Sequence, residues 1–330
     1  MAHPAQWLHD GLYGLMVHYL VSPQGATPTA CTAELNRTVD NFDLDRFMAQ
    51  FDRCGADWLI FTLGQNTGCY CSPNDFLDAA LPGRTSRRDL ALEIAQRVKE
   101  SGKKMILYLP AEVAGQSAEI KNAFGWKDGD VAQSAFHDSY LKFVEAYSVK
   151  FGDLNDGWWF DGCFEQFHHG RWDWMRWLAA AKRGNPSAIV ALNDGAFCVG
   201  NIKPLTPLED YHAGEIHLLE DGRIRTDFVG EGATMTPDGK VRDKTATFYM
   251  PDGRFIDGVQ WHALLPLDCS FNPHVPTMSY ADDELFVWAA ACKKVGGAVT
   301  INVPIDTADG WIPEKSLAQL ARLADFLTVD

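Results

Sequence analysis

The interpretation of this sequence depends on one short stretch, Gly157-Trp158-Trp159-Phe160-Asp161-Gly162. Three consecutive aromatic residues favour a buried β-strand, and the carboxylate and glycine that follow mark its end. An aspartate at the carboxyl end of a parallel strand, beside apolar rings, is a candidate nucleophile or acid/base. An aspartate between a strand and a helix is also a common N-cap, so the stretch alone leaves both roles of Asp161 open.

Apolar runs of the same kind recur along the chain and alternate with segments of helical periodicity. The predicted strands are 15–20, 57–63, 105–110, 156–162, 188–193, 258–265 and 298–304. The predicted helices are 43–54, 86–101, 131–150, 173–182, 280–294 and 316–327. This alternation indicates βαβ units and a parallel sheet. With 330 residues and roughly seven or eight such units, we predict an α/β fold of the (β/α)8 TIM-like barrel type, with residues 1–330 as a single domain.

Two parts of the chain depart from this alternation. The segment 21–41 contains Pro23, Gly25 and Pro28, and this predicts a long loop after the first strand. Turn signals between residues 194 and 259 surround an apolar stretch at 245–250; they are Pro237-Asp238-Gly239, Pro251-Asp252-Gly253 and Asp257-Gly258. These signals predict an irregular barrel with a β-hairpin excursion around residues 220–258.

The composition restricts the classes of partner. The chain carries 29 Lys and Arg against 44 Asp and Glu, a formal net charge of −15. Because an acidic surface repels phosphate backbones and anionic lipids, we expect no nucleic acid or membrane partner. No signal peptide and no membrane-spanning apolar run are visible, so we expect a cytoplasmic protein. A homo-oligomer is compatible with these features.

The sequence does not carry the usual cofactor or metal signatures. No Gly-x-Gly-x-x-Gly opens a helix after the first strand, and no Gly-x-x-x-x-Gly-Lys-Ser/Thr is present. The pair His168-His169 follows a strand in a loop, and the spacing of Cys69 and Cys71 is a weak metal pattern. No strand end carries the lysine of a Schiff-base aldolase. We therefore predict neither a cofactor nor a metal.

Carboxylates and aromatic rings remain as the chemical groups near the strand ends. Asp161 ends the fourth strand, Glu165 follows four residues later, and Asp210 and Glu215 come after the fifth strand. Two carboxylates in a mouth lined by aromatic rings suit glycoside hydrolysis, in which one attacks the sugar and the other protonates the leaving oxygen. Aromatic faces also pack well against sugar rings. The residues thus favour a carbohydrate substrate.

Four segments occur in a specific order: Leu12 to Tyr19, Gly157 to Gly162, Leu192 to Asp194 followed by Asp210 to Glu215, and Gly296 to Pro304 followed by Gly310-Trp311-Ile312-Pro313. Their order and spacing resemble the catalytic barrel of glycoside hydrolase family 29, the α-L-fucosidases. The resemblance implies that Asp161 is the nucleophile, Glu215 the acid/base and His18 a sugar contact. It also implies a retaining mechanism on a terminal fucose or a similar deoxy or L-sugar. Glu165 and Asp210 stay open as alternative acid/base residues.

The sequence also departs from that family. Gln65-Asn66 stand where the fucosidases carry a pair of histidines, and Gly195 stands where they carry an arginine. We expect the C-terminal β-sandwich of the family to be absent. The predicted sugar-binding residues are His18, Gln65, Asn66, Tyr70, Tyr108, Trp159, His212, Trp261 and His262. Two alternatives remain: a carbohydrate-binding pseudo-enzyme without turnover, and an exo-glycosidase for a different sugar.

Overall fold

The computed structural model describes residues 2–195, 202–216, 251–268 and 270–329. Seven strands form one parallel sheet: β1 (Gly14–Val17), β2 (Trp58–Thr62), β3 (Lys104–Pro110), β4 (Gly157–Asp161), β5 (Ile189–Leu192), β8 (His262–Pro266) and β9 (Ala298–Val303). Their order in the sheet is β5-β4-β3-β2-β1-β9-β8. Nearly every strand residue is buried, because the sheet is covered on both faces, and this explains the continuous apolar runs in the sequence.

Helices connect the strands. They are α1 (Gln6–Asp10), α2 (Pro28–Asp40), α3 (Leu44–Cys54), α4 (Asp75–Ala80), α5 (Leu90–Glu100), α6 (Ala118–Phe124), α7 (Ser134–Phe151), α8 (Glu165–His168), α9 (Trp174–Ala181), α10 (Asp282–Lys294) and α11 (Glu314–Val329). A 3₁₀ turn, Gly152–Leu154, follows α7. None of the described helices has both the length and the apolar character to cross a membrane.

The prediction of a long loop at 21–41 is wrong over most of its length, because α2 occupies 28–40. The side chain of Thr27 accepts a hydrogen bond from the backbone N–H of Ala30 and so caps the helix. Pro28 is the first helical residue, where a missing N–H costs nothing and the fixed φ suits the helix. The proline that indicated a loop is therefore a helix start.

The interior of the curled sheet and its outer face have separate hydrophobic clusters. Trp159 and Tyr108 point inward and stack, with ring centroids 5.1 Å apart and an interplanar angle of 14°. Trp158 points outward, and its indole N–H donates to the carbonyl of Ala181 at the end of α9. Because side chains alternate along a strand, Asp161 lies on the same inward side as Trp159. The strand thus directs its terminal carboxylate into the mouth of the curl.

The position between β5 and β8 is filled irregularly. Residues 209–216, which we call the closing segment, run alongside residues 260–264, where isolated parallel bridges join Tyr211 to Gln260 and Glu215 to Leu264 of β8. On its other side, backbone N–H groups of β5 donate to side-chain carboxylates of the segment: Val190 to Asp210 (2.9 Å) and Leu192 to Glu209 (3.0 Å).

The parallel α/β sheet of the predicted TIM-like barrel is therefore confirmed, but the sheet does not form a closed barrel of eight strands. Seven strands form the curled sheet, and in the described part of the chain no eighth strand closes it. The physical reason lies in the carboxylates of Glu209 and Asp210, which take the N–H groups that a neighbouring strand would otherwise bind.

The predicted hairpin excursion is described only at its end. Strands β6 (Phe255–Ile256) and β7 (Val259–Gln260) pair in antiparallel fashion. Asp257 and Gly258 connect them with φ values of 51° and 84°, which suit the tight turns of hairpins. The rest of the excursion, including the strand predicted at 245–250, lies outside the described residues.

Candidate active site

Asp161 is the last residue of β4, and its carboxylate accepts three side-chain hydrogen bonds. Its Oδ2 accepts from Gln65 Nε2 (2.6 Å) and from the hydroxyl of Tyr108, and its Oδ1 accepts from Asn193 Nδ2 (2.8 Å). The next helix, α8, has Phe164 as its N-cap and no side-chain cap. The N-cap interpretation of Asp161 is therefore wrong: its carboxylate faces the mouth of the curled sheet instead.

The three donors to Asp161 lie on β3 or shortly after β2 and β5. Tyr108 lies on β3, Gln65 follows β2, and Asn193 directly follows β5. The carboxyl ends of parallel strands meet at one face, so side chains that follow different strands converge there. The backbone fixes Asn193 in this position, since its N–H donates to the carbonyl of Phe160 (2.7 Å) and its carbonyl accepts from the N–H of Cys163 (2.8 Å).

Glu215, in the closing segment, faces Asp161 across Asn193. Asn193 Nδ2 also donates to Glu215 Oε2, at 2.7 Å. Because the Asp161 and Glu215 oxygens are bonded to the same nitrogen, at 2.8 and 2.7 Å, they are no more than about 5.5 Å apart. In glycosidases a carboxyl separation of about 5–5.5 Å belongs to the retaining mechanism, and inverting enzymes need more room for a water.

The environment of Glu215 favours its protonated form. Desolvation at the floor of the cavity and the nearby charge of Asp161 raise the pKa of Glu215 to about 7, and the hydrogen bond from Asn193 opposes the shift. A carboxyl with a pKa near the working pH can give a proton in one step and take one in the next. The pair can thus act as a nucleophile and an acid/base.

A cavity of about 790 Å³ opens above the two carboxylates, within the size range of ligand sites. Its lining combines polar groups around the acids with an apolar wall that follows β9. The lining residues are His18, Leu20, Gln65, Asn66, Asp161, Phe164, Gly195, Glu215, Phe271, Pro273, His274, Asn302, Val303, Pro304, Ile305, Asp306 and Thr307. A polar floor with apolar and aromatic walls suits a sugar ring, which has hydroxyl groups at its edge and C–H groups on its faces.

His18 follows β1 and lies at the edge of this cavity. Its Nδ1 is 3.0 Å from Nδ2 of Asn302, the fifth residue of β9, and its ring meets that of Tyr108 edge-on at 5.2 Å. Burial lowers the pKa of His18, which keeps the imidazole neutral at neutral pH. With the amide of Asn302 donating to Nδ1, the proton resides on Nε2, where it is a donor for a ligand hydroxyl.

The structure brings His18, Gln65 and Asn66 to the cavity, and Tyr108 to the nucleophile itself. It places Trp159 beneath them, stacked on Tyr108, with its indole N–H donating to Ala213 O (3.2 Å). The predicted ligand contact of Trp159 is thus indirect.

Four further residues predicted to bind sugar are placed away from the cavity: Tyr70, His212, Trp261 and His262. Trp261 and His262 lie at the amino end of β8, opposite the carboxyl ends that hold Asp161. His212 is buried beside Gln260 at the same end, with its Nδ1 3.0 Å from that carbonyl. The ring of Tyr70 packs against Phe143 of α7, with centroids 5.0 Å apart. We correct the prediction for these four: they are core residues.

The two alternative acid/base residues also lie outside the cavity lining. The side chain of Glu165 is 73% exposed and approaches His168 Nε2 at 3.4 Å. Asp210 is buried, pairs with Lys182 Nζ at 2.7 Å and accepts the N–H of Val190 at 2.9 Å. Both carboxylates are engaged elsewhere, which leaves Glu215 as the partner that the geometry favours.

Sequence reasoning missed Asn193 and Asn302 as site residues. Both come at or next to the carboxyl end of a strand, just as Asp161 does, so the same positional rule could have found them. It also missed the cavity wall formed by Phe271, Pro273 and His274. Their segment carries no strand or helix pattern, and its course depends on long-range contacts.

Asp268 organises that wall. Its carboxylate accepts four hydrogen bonds, from the N–H and hydroxyl of Ser270 (2.8 and 2.7 Å) and from the N–H and hydroxyl of Thr277 (both 2.6 Å). At the rim, His274 Nε2 meets Asp306 Oδ2 at 2.8 Å. In the part of the chain that the structure describes, no cluster of three or more His, Cys, Asp or Glu side chains could hold a metal ion.

Comparisons with known proteins agree with this architecture. The family model of the endo-α(1,4)-fucoidanase Mef1 matches residues 44–203, a little under half of the chain. A comparison with curated protein sequences gives no match. Among solved structures, the endo-fucoidan hydrolase MfFcnA4 of glycoside hydrolase family 107 superposes with a TM-score of 0.67 at 17% identity, over 98% of this chain. This chain spans 53% of that one, about half its length.

Two α-L-fucosidases superpose comparably. Isoenzyme 1 from Paenibacillus thiaminolyticus gives a TM-score of 0.66 at 15% identity, covering 99% of this chain and 76% of the other. AlfC from Lactobacillus casei, in complex with its α-L-fucose product, gives 0.64 at 13%, covering 99% and 98%. The predicted resemblance to family 29 alone is thus too narrow, since a family 107 enzyme is equally similar. The chain has the fold shared by fucose-active glycoside hydrolases of both kinds.

Proposed function

We propose that this chain is a retaining glycoside hydrolase that cleaves α-L-fucosyl linkages, with Asp161 as nucleophile and Glu215 as acid/base. One observation carries the proposal: the two carboxyls share the amide nitrogen of Asn193, so that Asp161 Oδ1 and Glu215 Oε2 are no more than about 5.5 Å apart. The fold shared with fucose-active enzymes supports the sugar assignment.

In the first step, the Asp161 carboxylate attacks the anomeric carbon while the bond to the glycosidic oxygen breaks. Glu215 gives its proton to that oxygen, so the leaving group departs as a neutral alcohol. In the second step, Glu215 takes a proton from water, whose oxygen attacks the same carbon and displaces Asp161. Two inversions give net retention, and Glu215 ends each cycle protonated, as its pKa of about 7 favours.

The donors around Asp161 support its role as nucleophile. Gln65 and Tyr108 donate to Oδ2, and Asn193 donates to Oδ1, so both oxygens are oriented toward the mouth of the cavity. Preorganised donors of this kind need no rearrangement during the reaction. Gln65 fulfils this role as an amide, so the replacement of the family's histidines leaves the orientation of Asp161 intact.

The proposal has two versions, which differ in whether the cleaved bond lies at the end or inside the substrate chain. The first candidate is removal of a terminal fucose, or of a similar deoxy or L-sugar, as the resemblance to family 29 implies. The second is cleavage inside an α(1,4)-linked fucan, and the match of residues 44–203 to an endo-fucoidanase family favours it. Size analysis of the products from a defined fucan oligosaccharide separates the two: release of monosaccharide alone indicates the first, and release of oligosaccharides the second.

Asp161→Asn tests the chemistry. We expect hydrolysis of an aryl α-L-fucoside to fall below detection, because the amide cannot form the glycosyl ester. In Asp161→Gly, azide can enter the space of the lost carboxylate, and we expect it to restore turnover with β-L-fucosyl azide as the product. The matched control is Glu165→Gln, which removes an exposed carboxylate four residues away.

The results distinguish the alternatives. Wild-type turnover in Asp161→Asn would exclude Asp161 as the nucleophile. A wild-type protein that binds fucosides in calorimetry without hydrolysing any would indicate the carbohydrate-binding pseudo-enzyme. Hydrolysis of an α-L-rhamnoside or β-D-galactoside in preference to the fucoside would keep the mechanism and replace the sugar.

A further inference from the structure

We propose that Asn193 is a positioning residue that holds the two carboxyls together through one amide nitrogen and couples the proton on Glu215 to the state of Asp161. The inference rests on the proposed function and assigns a specific task to a residue that contacts both acids. Its basis is the pair of hydrogen bonds from Nδ2, at 2.8 Å to Asp161 Oδ1 and 2.7 Å to Glu215 Oε2.

The amide is fixed in this orientation. Asn193 is 1% exposed, and its backbone is bonded to Phe160 and Cys163, on either side of Asp161. Its Oδ1 accepts the N–H of Gly195 at 3.4 Å, which directs the NH₂ group to the acids. A flipped amide would place its carbonyl oxygen against two carboxyl groups, which are acceptors when ionised. The NH₂ group has two protons, one for each acid.

The charges around Glu215 define what the amide does. Of the described titratable groups, Asp161 on β4 and Tyr108 on β3 both act on Glu215 electrostatically, and β8 faces it with the backbone of Leu264. The Asp161 carboxylate favours the protonated Glu215, whereas the Asn193 N–H favours the ionised form. The charge of Asp161 and the hydrogen bond from Asn193 thus have opposite effects on the pKa of Glu215.

Glycosylation changes this balance in the direction that the second step needs. When Asp161 becomes an ester it loses its charge, so it no longer favours a proton on Glu215. The N–H of Asn193 still donates to Glu215 Oε2 and now stabilises the ionised base that must accept a proton from water. Asn193 thus helps Glu215 to change from acid to base at the correct moment.

The test measures the titration of Glu215 directly. In protein labelled with ¹³C at the side-chain carboxyl of glutamate, the Glu215 signal is assigned by its absence from Glu215→Gln. We expect Asn193→Ala to raise the midpoint by about one unit, because the lost donor favoured the ionised form. Asn193→Ser, whose hydroxyl has one proton and cannot serve both acids, gives a second variant if the first does not fold. Asn66→Ala, which removes an amide from the same cavity, is the matched control and should leave the midpoint in place.

Kinetics supply the second readout. With 2,4-dinitrophenyl α-L-fucoside, whose leaving group needs no acid, kcat depends on Glu215 as the base. We expect the acid limb of kcat to move upward by about the same unit in Asn193→Ala, so that kcat falls about tenfold at pH values below the midpoint of that limb. An unchanged midpoint in both Asn193 variants would overturn the inference while the proposed function stood. A shifted midpoint in a protein that hydrolyses no fucoside would confirm the coupling and reject the proposed function.

Discussion

Replacement of Glu215 by glutamine should stabilise the fold at alkaline pH and leave it nearly unchanged at acidic pH. Glutamine has almost the shape of the protonated acid, and its carbonyl oxygen can still accept the hydrogen bond from Asn193. At pH 5 the wild-type carboxyl is protonated, so the two proteins differ little. At pH 8 the wild-type carboxyl is ionised beside Asp161 in a desolvated site, and the amide avoids this cost.

The magnitude follows from the pKa of Glu215, which is about 7 in the folded protein against an ordinary value of 4.5 for a glutamate side chain. Between these values the folded state holds a proton that the unfolded state has lost, so stability falls as the pH rises through this window and is level above it. The difference corresponds to about 3 kcal/mol at 1.36 kcal/mol per pKa unit. Glu215→Gln removes this term, so we expect a gain of about that size at pH 8.

Urea unfolding gives the free energy of unfolding of both proteins at pH 5 and at pH 8. The stability of Glu215→Gln relative to wild type is then compared between the two pH values, so that the pH dependence of the other groups cancels. Glu100→Gln is the matched control, because Glu100 is 73% exposed at the end of α5. A Glu215→Gln protein whose stability relative to wild type is the same at both pH values would refute the reasoning. It would mean that Glu215 is ionised in the folded state at pH 5.

Two further substitutions test the surroundings of the acids. Tyr108→Phe removes the hydroxyl that donates to Asp161 Oδ2. We expect kcat/KM for an aryl fucoside to fall about 10- to 100-fold, the effect of losing a hydrogen bond to a charged group. An unchanged kcat/KM would show that the bond is dispensable. Asp268→Asn replaces one acceptor oxygen with an NH₂ group, which then faces the donors of Ser270 and Thr277. We expect urea unfolding to show a loss of about 2 kcal/mol in the free energy of unfolding, and kinetics to show a raised KM. Asp252→Asn, at an exposed turn, should change neither.

The strands of this fold could be predicted from the sequence because a sheet covered on both faces requires uninterrupted apolar runs. The run predicted at 156–162 became β4 at Gly157–Asp161, and the one at 298–304 became β9 at Ala298–Val303. Helix α2 was missed although its signals were present, since Thr27 and Pro28 form a regular helix start. The composition of this segment is typical of a loop, but the positions of these two residues are those of a helix N-terminus.

The position of Asp161 in the site could also be predicted, because a residue that ends a parallel strand must reach the functional face. The same rule argues against Trp261 and His262, because His262 begins β8 and Trp261 precedes it, so both lie at the opposite end. The bond of Asn193 to both acids was not predictable, since it depends on the distance between β5 and the closing segment.

The position of Glu215 follows from the irregularity of the fold. Asp161 is fixed by the ladder of β4, whereas Glu215 lies in the closing segment and forms an isolated bridge to Leu264 of β8. Gly214 makes this possible: its φ is +66°, and a Cβ there would lie 1.9 Å from the carbonyl oxygen of His262, so the residue before Glu215 must be glycine. Backbone hydrogen bonds of Leu264 to the carbonyl of Gly214 (2.8 Å) and of Ile216 to the carbonyl of Leu264 (2.9 Å) hold the backbone of Glu215, and the amide of Asn193 links its carboxyl directly to that of Asp161. For this reason we expect the separation of the carboxyls to depend on Asn193 as well as on the backbone of the closing segment.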